Sequence, residues 1–329
     1  MCSVTQPLDR LDHQILHALG INGRVPFRRL AQALDASEHT VARRYRRLVE
    51  RDVVRVVAAP APRDSDMGQL LRLQVHPGSS KRLTEALVNR DDVSWLRTAG
   101  GGAEIMCGVR APSSPQRDKL ILEQLPRTGK VTRVTTYDVL HHFRTPGHAD
   151  WEGFPDRLDD RKRELIRDHD PTGAPAPRPA AEDAALLKAL TLDARQSSAR
   201  LAAATGQPES TVRRRLDQLL ACGAIQLDRD LDPLSLGYPI SASLYIDVSP
   251  KHLHAAGAAL AAHRPTTFVA AVTGPANLHA AVSVRTLADL YDYVSSTLTE
   301  IDGVLRVETC LAGPFLKHAR TIWLARHDR

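Results

Sequence analysis

The chain has 329 residues, 43% of them hydrophobic and 25% charged, the balance of a soluble globular protein with two to four domains. This excludes a largely disordered chain, a collagen and a disulfide-stapled miniprotein, and no run of about 18 apolar residues is present to cross a membrane. The net charge is +6, and the 44 basic residues divide into 37 Arg and 7 Lys. Arg is the better donor to phosphate and guanine edges because its planar fork is bidentate. Codon bias in a GC-rich genome gives the same enrichment, so the placement of the charge has to decide.

The N-terminus has no apolar signal region, and Cys2, Cys107, Cys222 and Cys310 form no CxxC pair. A cytoplasmic chain with reduced thiols, no metal site and no cofactor is expected.

The first elements are helical. Leu8, Leu11, Ile15, Leu16 and Leu19 fall at helical spacing, and Gly20 to Gly23 stops that helix. Phe27, Leu30, Ala31 and Leu34 mark a short second helix opened by Pro26. Ser37 then stands as the N-cap of a third, Glu38 to about Arg51, with Val41, Tyr45 and Leu48 facing inward. A short helix, a tight turn and a third helix with a basic outer face is the helix-turn-helix pattern. Ser37, His39, Thr40, Arg43, Arg44 and Arg47 are the candidate DNA contacts, with double-stranded DNA the partner. A plain three-helix bundle with a solvated basic face is the simpler alternative. The third helix counts five Arg against two Glu, which favours DNA.

Strands follow, with the order β-α-β-β-α-β. They are expected at Leu70 to Val75, Val93 to Thr98, Glu104 to Val109 and Val131 to Val139, with helices near Ser80 to Asn89 and Pro115 to Leu125. Pro155 to Asp168 reads as a short charged helix with a solvated face, and Pro171 to Asp183 as an extended proline-rich spacer.

The pattern then repeats. At a constant shift of 171, Arg24 meets Arg195, Leu30 meets Leu201, Thr40 meets Thr211 and Leu48 meets Leu219. At a shift of 173, GGAEIMCGV (Gly101 to Val109) lies over GPANLHAAV (Gly274 to Val282). Two matches in the same order point to a duplicated unit. The second helical module has Ser210, Thr211, Arg213, Arg214 and Arg215 as its candidate DNA contacts. It counts seven basic and seven acidic residues over 180–231, against ten and six over 8–60, so the first module is expected to bind DNA more strongly. Its sandwich has strands at Ile240 to Val248, Thr266 to Gly274, Asn277 to Val284 and Val304 to Ala312. Its helices are His252 to His263 and Leu287 to Ile301.

The fold class is therefore α+β: a tandem repeat of a winged, three-helix helix-turn-helix domain followed by a ferredoxin-like βαββαβ sandwich. The boundaries read as 1–62 and 66–143, a linker at 144–180, then 181–232 and 238–318.

The motifs LDRLDHQILHAL, GRVPFRRLA and SEHTVARRYRRL, with LLKALTLDAR, LAAATGQPESTVRRRL and LDPLSLGY in the second copy, resemble the Lrp/AsnC (feast/famine) family of transcriptional regulators. The resemblance implies pairing of sandwich domains, within one chain as a pseudo-dimer or between chains as a homo-oligomer. It also implies a small-molecule pocket, for an effector such as an amino acid, at the turn that the family commonly writes Thr-Gly-x-x-Asp. Here Thr273 to Asn277 and Ala99 to Glu104 stand at that turn, so Gly101, Gly102, Glu104, Gly274 and Asn277 are the candidate effector ligands. Ordinary hairpin glycines are the simpler alternative. The siroheme decarboxylase subunits resemble the same architecture, which keeps an enzyme as an alternative. A ligand-binding protein without DNA binding is another. No Ser/His/Asp or Cys/His constellation, P-loop or HExxH appears, and the expectation is that the chain is not an enzyme.

Overall fold

A computed structural model describes residues 7–61, 68–90, 92–109, 119–145, 151–167, 177–231, 233–318 and 321–322. The chain divides into two compact units: one holds both helical modules, the other both sandwiches. No helix among the described residues is long and apolar enough to cross a membrane.

In the helical unit, α1 (Arg10–Ile21), α2 (Phe27–Ala33) and α3 (Glu38–Glu50) lead into strand β1 (Val54–Pro60). Asp9 closes a capping box at α1, and Ser37 caps α3 by accepting the Thr40 N–H, which places both helix starts where short polar side chains occur. Ile15, Leu16, Leu30, Val41 and Leu48 are fully buried between the three helices. The second module has α6 (Ala184–Leu192), α7 (Ser198–Thr205) and α8 (Glu209–Ala221), then β6 (Ile225–Leu231). Pro208 opens α8 without a side-chain cap.

The wing strands join the modules. β1 and β6 pair antiparallel, and Val57 lies opposite Asp228, its own counterpart at the 171 shift. The ribbon is thus centred on a pseudo-twofold axis. Arginines at equivalent positions lock it. Arg24 donates to the Ala194 and Gln196 carbonyls, and Arg195 donates to those of Gly23 (2.7 Å) and Val25 (3.0 Å).

The segment between the copies is not a bare spacer. Helix α5 (Asp160–Ile166) lies against α1 and α2. Asn22 donates to the Ile166 carbonyl (3.2 Å), Arg29 to that of Arg167 (2.7 Å), and Ile166 is fully buried. The charged helix read as solvated therefore spends its one deeply apolar residue on the first module. Residues 168–176, which include Pro171 and Pro175 of the proline-rich stretch, lie outside the described residues.

The other unit contains β2 (Gln69–Val75), α4 (Ser80–Val88), β3 (Val93–Ala99), β4 (Glu104–Val109) and β5 (Val131–Arg144). The second copy supplies β7 (Ile240–Val248), α9 (Leu253–Ala262), β8 (Thr266–Val272), β9 (Leu278–Val284), α10 (Leu287–Asp292) and β10 (Val304–His318). A short β11 (Thr321–Ile322) follows. The first four residues of the helix expected at Pro115 to Leu125 lie outside the described residues, and wide helical turns follow at Lys119–Gln124. The helix expected to reach Ile301 is regular only to Asp292 and continues as wide and tight turns.

Each final strand runs beyond its expected end. β5 pairs with β2 through Asp138, then with β8 from Val139 to Arg144. β10 pairs with β7 through Ala312, then with β3 to Lys317. Val139 opposite Val272 is repeated as Ala312 opposite Ala99. The exchange is reciprocal and links β10-β3-β4-β2-β5-β8-β9-β7 into a ring of pairings in which each strand has two neighbours. The helices cover an apolar core on the outside of each half, around Leu73, Leu96 and Ile105 in one and Leu244, Leu260 and Leu278 in the other. A third cluster, with Met106, Tyr137, Tyr245 and Val272, fills the space between the halves.

Candidate nucleic-acid interface and effector site

The outer face of α3 divides into two sets of residues. His39, Arg43 and Arg46 are exposed. Arg44 instead reaches both Asp9 and Asp12, at 3.1 Å for the latter, and Arg47 meets Asp12 at 2.7 Å. Asp12 is completely buried. A buried carboxylate needs its cations, so Arg44 and Arg47 pin α3 to α1, with the Arg47 side chain still 36% exposed. The Ser37 and Thr40 hydroxyls lie 2.8 Å apart within the cap.

The second copy repeats the device. Asp183, 2% exposed, takes two bonds from Arg215, at 2.7 and 2.8 Å. These bonds hold the Asp183 carboxyl below its ordinary range and raise the Arg215 guanidinium. Arg215 thereby ties α8 to the segment before α6, with its side chain 35% exposed. Ser210, Arg213 and Arg214 remain exposed, with Thr211 half-buried. Asp12 and Asp183 stand 171 apart, as do Arg44 and Arg215; that repeated acid was the signal available in the sequence.

The candidate effector turns are also more occupied than expected. Gly274, at φ +101°, presses on β5, where an added Cβ would lie 3.0 Å from the Thr136 carbonyl oxygen. Thr273 exchanges bonds with the Asp138 backbone, its N–H donating at 2.9 Å and its hydroxyl accepting at 2.9 Å. The turn therefore clasps the point where β5 changes sheets. Asn277 spends its amide on the Val248 backbone, donating at 2.6 Å and accepting at 2.9 Å. It is a strand pin, not an open ligand. Gly100, Gly101 and Gly102 all hold positive φ, a conformation that favours glycine.

Glu104 does lie at the contact between halves, yet its carboxylate is taken by Arg72. Nε and Nη2 each donate at 2.9 Å, and Nη1 reaches Glu308 at 2.7 Å. The guanidinium lies 4.8 Å over the Tyr245 ring. Tyr137 stacks on Tyr245 at 5.2 Å, and the Cys310 thiol donates to Glu104 at 3.6 Å. Burial opposes the charge on Arg72, but the bonds from Glu104 and Glu308 outweigh it and raise its pKa. His279 sits 4.9 Å from Tyr245 with both ring nitrogens buried and without a hydrogen-bond partner. Burial, reinforced by Arg72, pushes its pKa down to about 3. Arg72, Glu308, Tyr137, Tyr245 and His279 were not foreseen. Strand alternation places Arg72 opposite the Leu71 and Leu73 face, but its partners come from distant strands. Among the described residues no group of three or more His, Cys, Asp or Glu could hold a metal ion.

The chain matches an AsnC-type helix-turn-helix domain at residues 8–49 and a winged helix-turn-helix DNA-binding domain at 183–226. It matches an Lrp/AsnC ligand binding domain at 241–321. An uncharacterized HTH-type transcriptional regulator of Pyrococcus abyssi is 32% identical over 130 residues, covering 39% of this chain and 82% of that one. One from Pyrococcus furiosus is 31% identical, covering 39% and 88%. The siroheme decarboxylase NirDL has the same fold, with a TM-score of 0.61 over 94% of this chain and 93% of that one, at 13% identity. The helical modules, the sandwiches and these sequence relatives agree: the chain belongs to the Lrp/AsnC family of helix-turn-helix, DNA-binding transcriptional regulators, with two units in one polypeptide.

Proposed function

We propose that the chain regulates transcription in the cytoplasm as a single-chain pseudo-dimer, without enzymatic activity, reading DNA with α3 and α8 together. One observation carries this reading: the β1–β6 ribbon relates the two modules by a pseudo-twofold, and Arg43, Arg46, Arg213 and Arg214 stay exposed on their third helices. Two third helices related in this way match a duplex with two half-sites. Footprinting of the full chain on its own upstream region tests it. Protection of two neighbouring half-sites is expected; binding that ignores sequence would overturn it.

The effector in this reading is a small carboxylate such as an amino acid. The Arg72–Glu308 pair supports it, because the Glu308 side chain is 41% exposed and a ligand carboxylate could replace it on the guanidinium. Calorimetry with the twenty amino acids on the wild type and on Arg72→Lys tests this. Equal affinities would remove Arg72 from the site.

An enzyme resembling the siroheme decarboxylases is the second reading. The observation in its favour is His279, buried with two unpartnered nitrogens. A shifted absorption band on titration with an iron tetrapyrrole, lost in His279→Leu, would favour it over the regulator.

A further inference from the structure

The 171-residue shift sets the outward positions of α3 against those of α8. Glu38 and Glu209, Thr40 and Thr211, and Arg43 and Arg214 are the same in both. His39 stands against Ser210, Ala42 against Arg213, Arg46 against Asp217 and Arg47 against Gln218. Ser210, Arg213, Asp217 and Gln218 are all exposed, and of the inward positions Val41/Val212 and Leu48/Leu219 are unchanged while Tyr45 stands against Leu216. The frame holding the helices is symmetric: the ribbon is centred on Val57 and Asp228, Arg24 and Arg195 are reciprocal, and Asp12–Arg44 recurs as Asp183–Arg215. A symmetric frame thus presents two unlike reading faces.

We infer that the chain's DNA target is a non-palindromic inverted repeat whose two half-sites share a core and differ beside it. The inference rests on the DNA-binding reading above. Arg43 and Arg214 read the shared core. Arg213 adds a guanidinium near the start of α8, where a bidentate contact to guanine O6 and N7 is available. Ala42 offers only a methyl group there, suited to a thymine methyl. Asp217 repels a phosphate that Arg46 would bind. The second half-site therefore depends more on its bases and less on backbone charge.

Selection of the full chain on a random duplex pool, followed by methylation interference, tests this. Two unlike half-sites in inverted orientation are expected, with centres about one helical turn or a multiple apart. Arg213→Ala is expected to weaken binding to the selected site by on the order of tenfold and to erase a guanine preference in one half only. The chain carrying Ser210→His, Arg213→Ala, Asp217→Arg and Gln218→Arg is expected to select a perfect palindrome. A palindrome selected by the unaltered chain, or a single half-site, overturns the inference and leaves DNA binding standing. Enrichment of no sequence at all overturns both.

Discussion

The helical unit and the sandwich unit treat their shared duplication differently. In the helical unit the joint stays reciprocal: Arg24 and Arg195 each grip carbonyls of the other copy. In the sandwich unit the joint has become complementary. At the 173 shift Arg72 corresponds to Tyr245, Glu104 to Asn277, Met106 to His279 and Tyr137 to Cys310. Arg72 stacks on its own counterpart. In a homodimer that position would set two arginines against each other, because a twofold interface must be self-complementary. Fusion removes the constraint, and the interior has used that freedom while the ribbon has not.

The strongest test of this contrast is Arg72→Ala. It leaves Glu104 as a buried carboxylate without its cation and is expected to destabilise the sandwich unit by about 3–5 kcal/mol in urea unfolding. A loss under about 1 kcal/mol would mean that the pair is solvated and the asymmetry incidental.

Acid stability comes next. His279 has a folded pKa of about 3 against an ordinary 6.5, so the unfolded chain binds its proton first. Its contribution is complete above pH 6.5 and falls away as pH drops towards 3, by up to about 1.4 kcal/mol per unit. His279→Leu is expected to flatten that limb of a plot of stability against pH. An unchanged slope would place the ring in contact with water.

The pinned and exposed arginines of the helical unit should separate. Arg44→Ala and Arg215→Ala are expected to lower stability, by about 1–2 kcal/mol after allowance for their partial exposure. Arg43→Ala and Arg214→Ala are expected to leave stability alone and to reduce the salt slope of DNA binding by about one unit each. Thermal melts and binding isotherms at three salt concentrations distinguish the two outcomes, and equal effects on both readouts would erase the division.

The smallest effect concerns the caps. Ser37→Ala is expected to cost about 1 kcal/mol, whereas Pro208, with no side-chain cap to lose, is expected to tolerate replacement by Ser with a slight gain. The same melts resolve the difference.

What the sequence disclosed follows from the range of each signal. Ser37 and the Val41, Leu48 face fixed α3 locally, and alternation placed β7 at Ile240–Val248 and β4 at Glu104–Val109. The strand exchange was hidden because its cause is remote. Gly313-Pro314 reads as a strand terminator, yet β10 continues through it by a register shift between Ala312 and Phe315, against an edge of β3 more than 200 residues away in the chain. Gly313 fits there because a Cβ would lie 2.6 Å from the Thr98 hydroxyl. The site was half legible for the same reason. Arg43 and Arg44 are indistinguishable as letters, and only a buried carboxylate 32 residues earlier separates their roles.

The reciprocal exchange of β5 and β10 has a consequence for the cell. A regulator assembled from separate subunits comes apart on dilution and trades partners with related chains, since its stability depends on protomer concentration. Here the exchanged strands are tethered, at an effective local concentration on the order of millimolar whatever the copy number. Pairing between the two halves is therefore expected to survive at a few molecules per cell, and a paralogue's final strand can replace β5 or β10 only by displacing a tethered one.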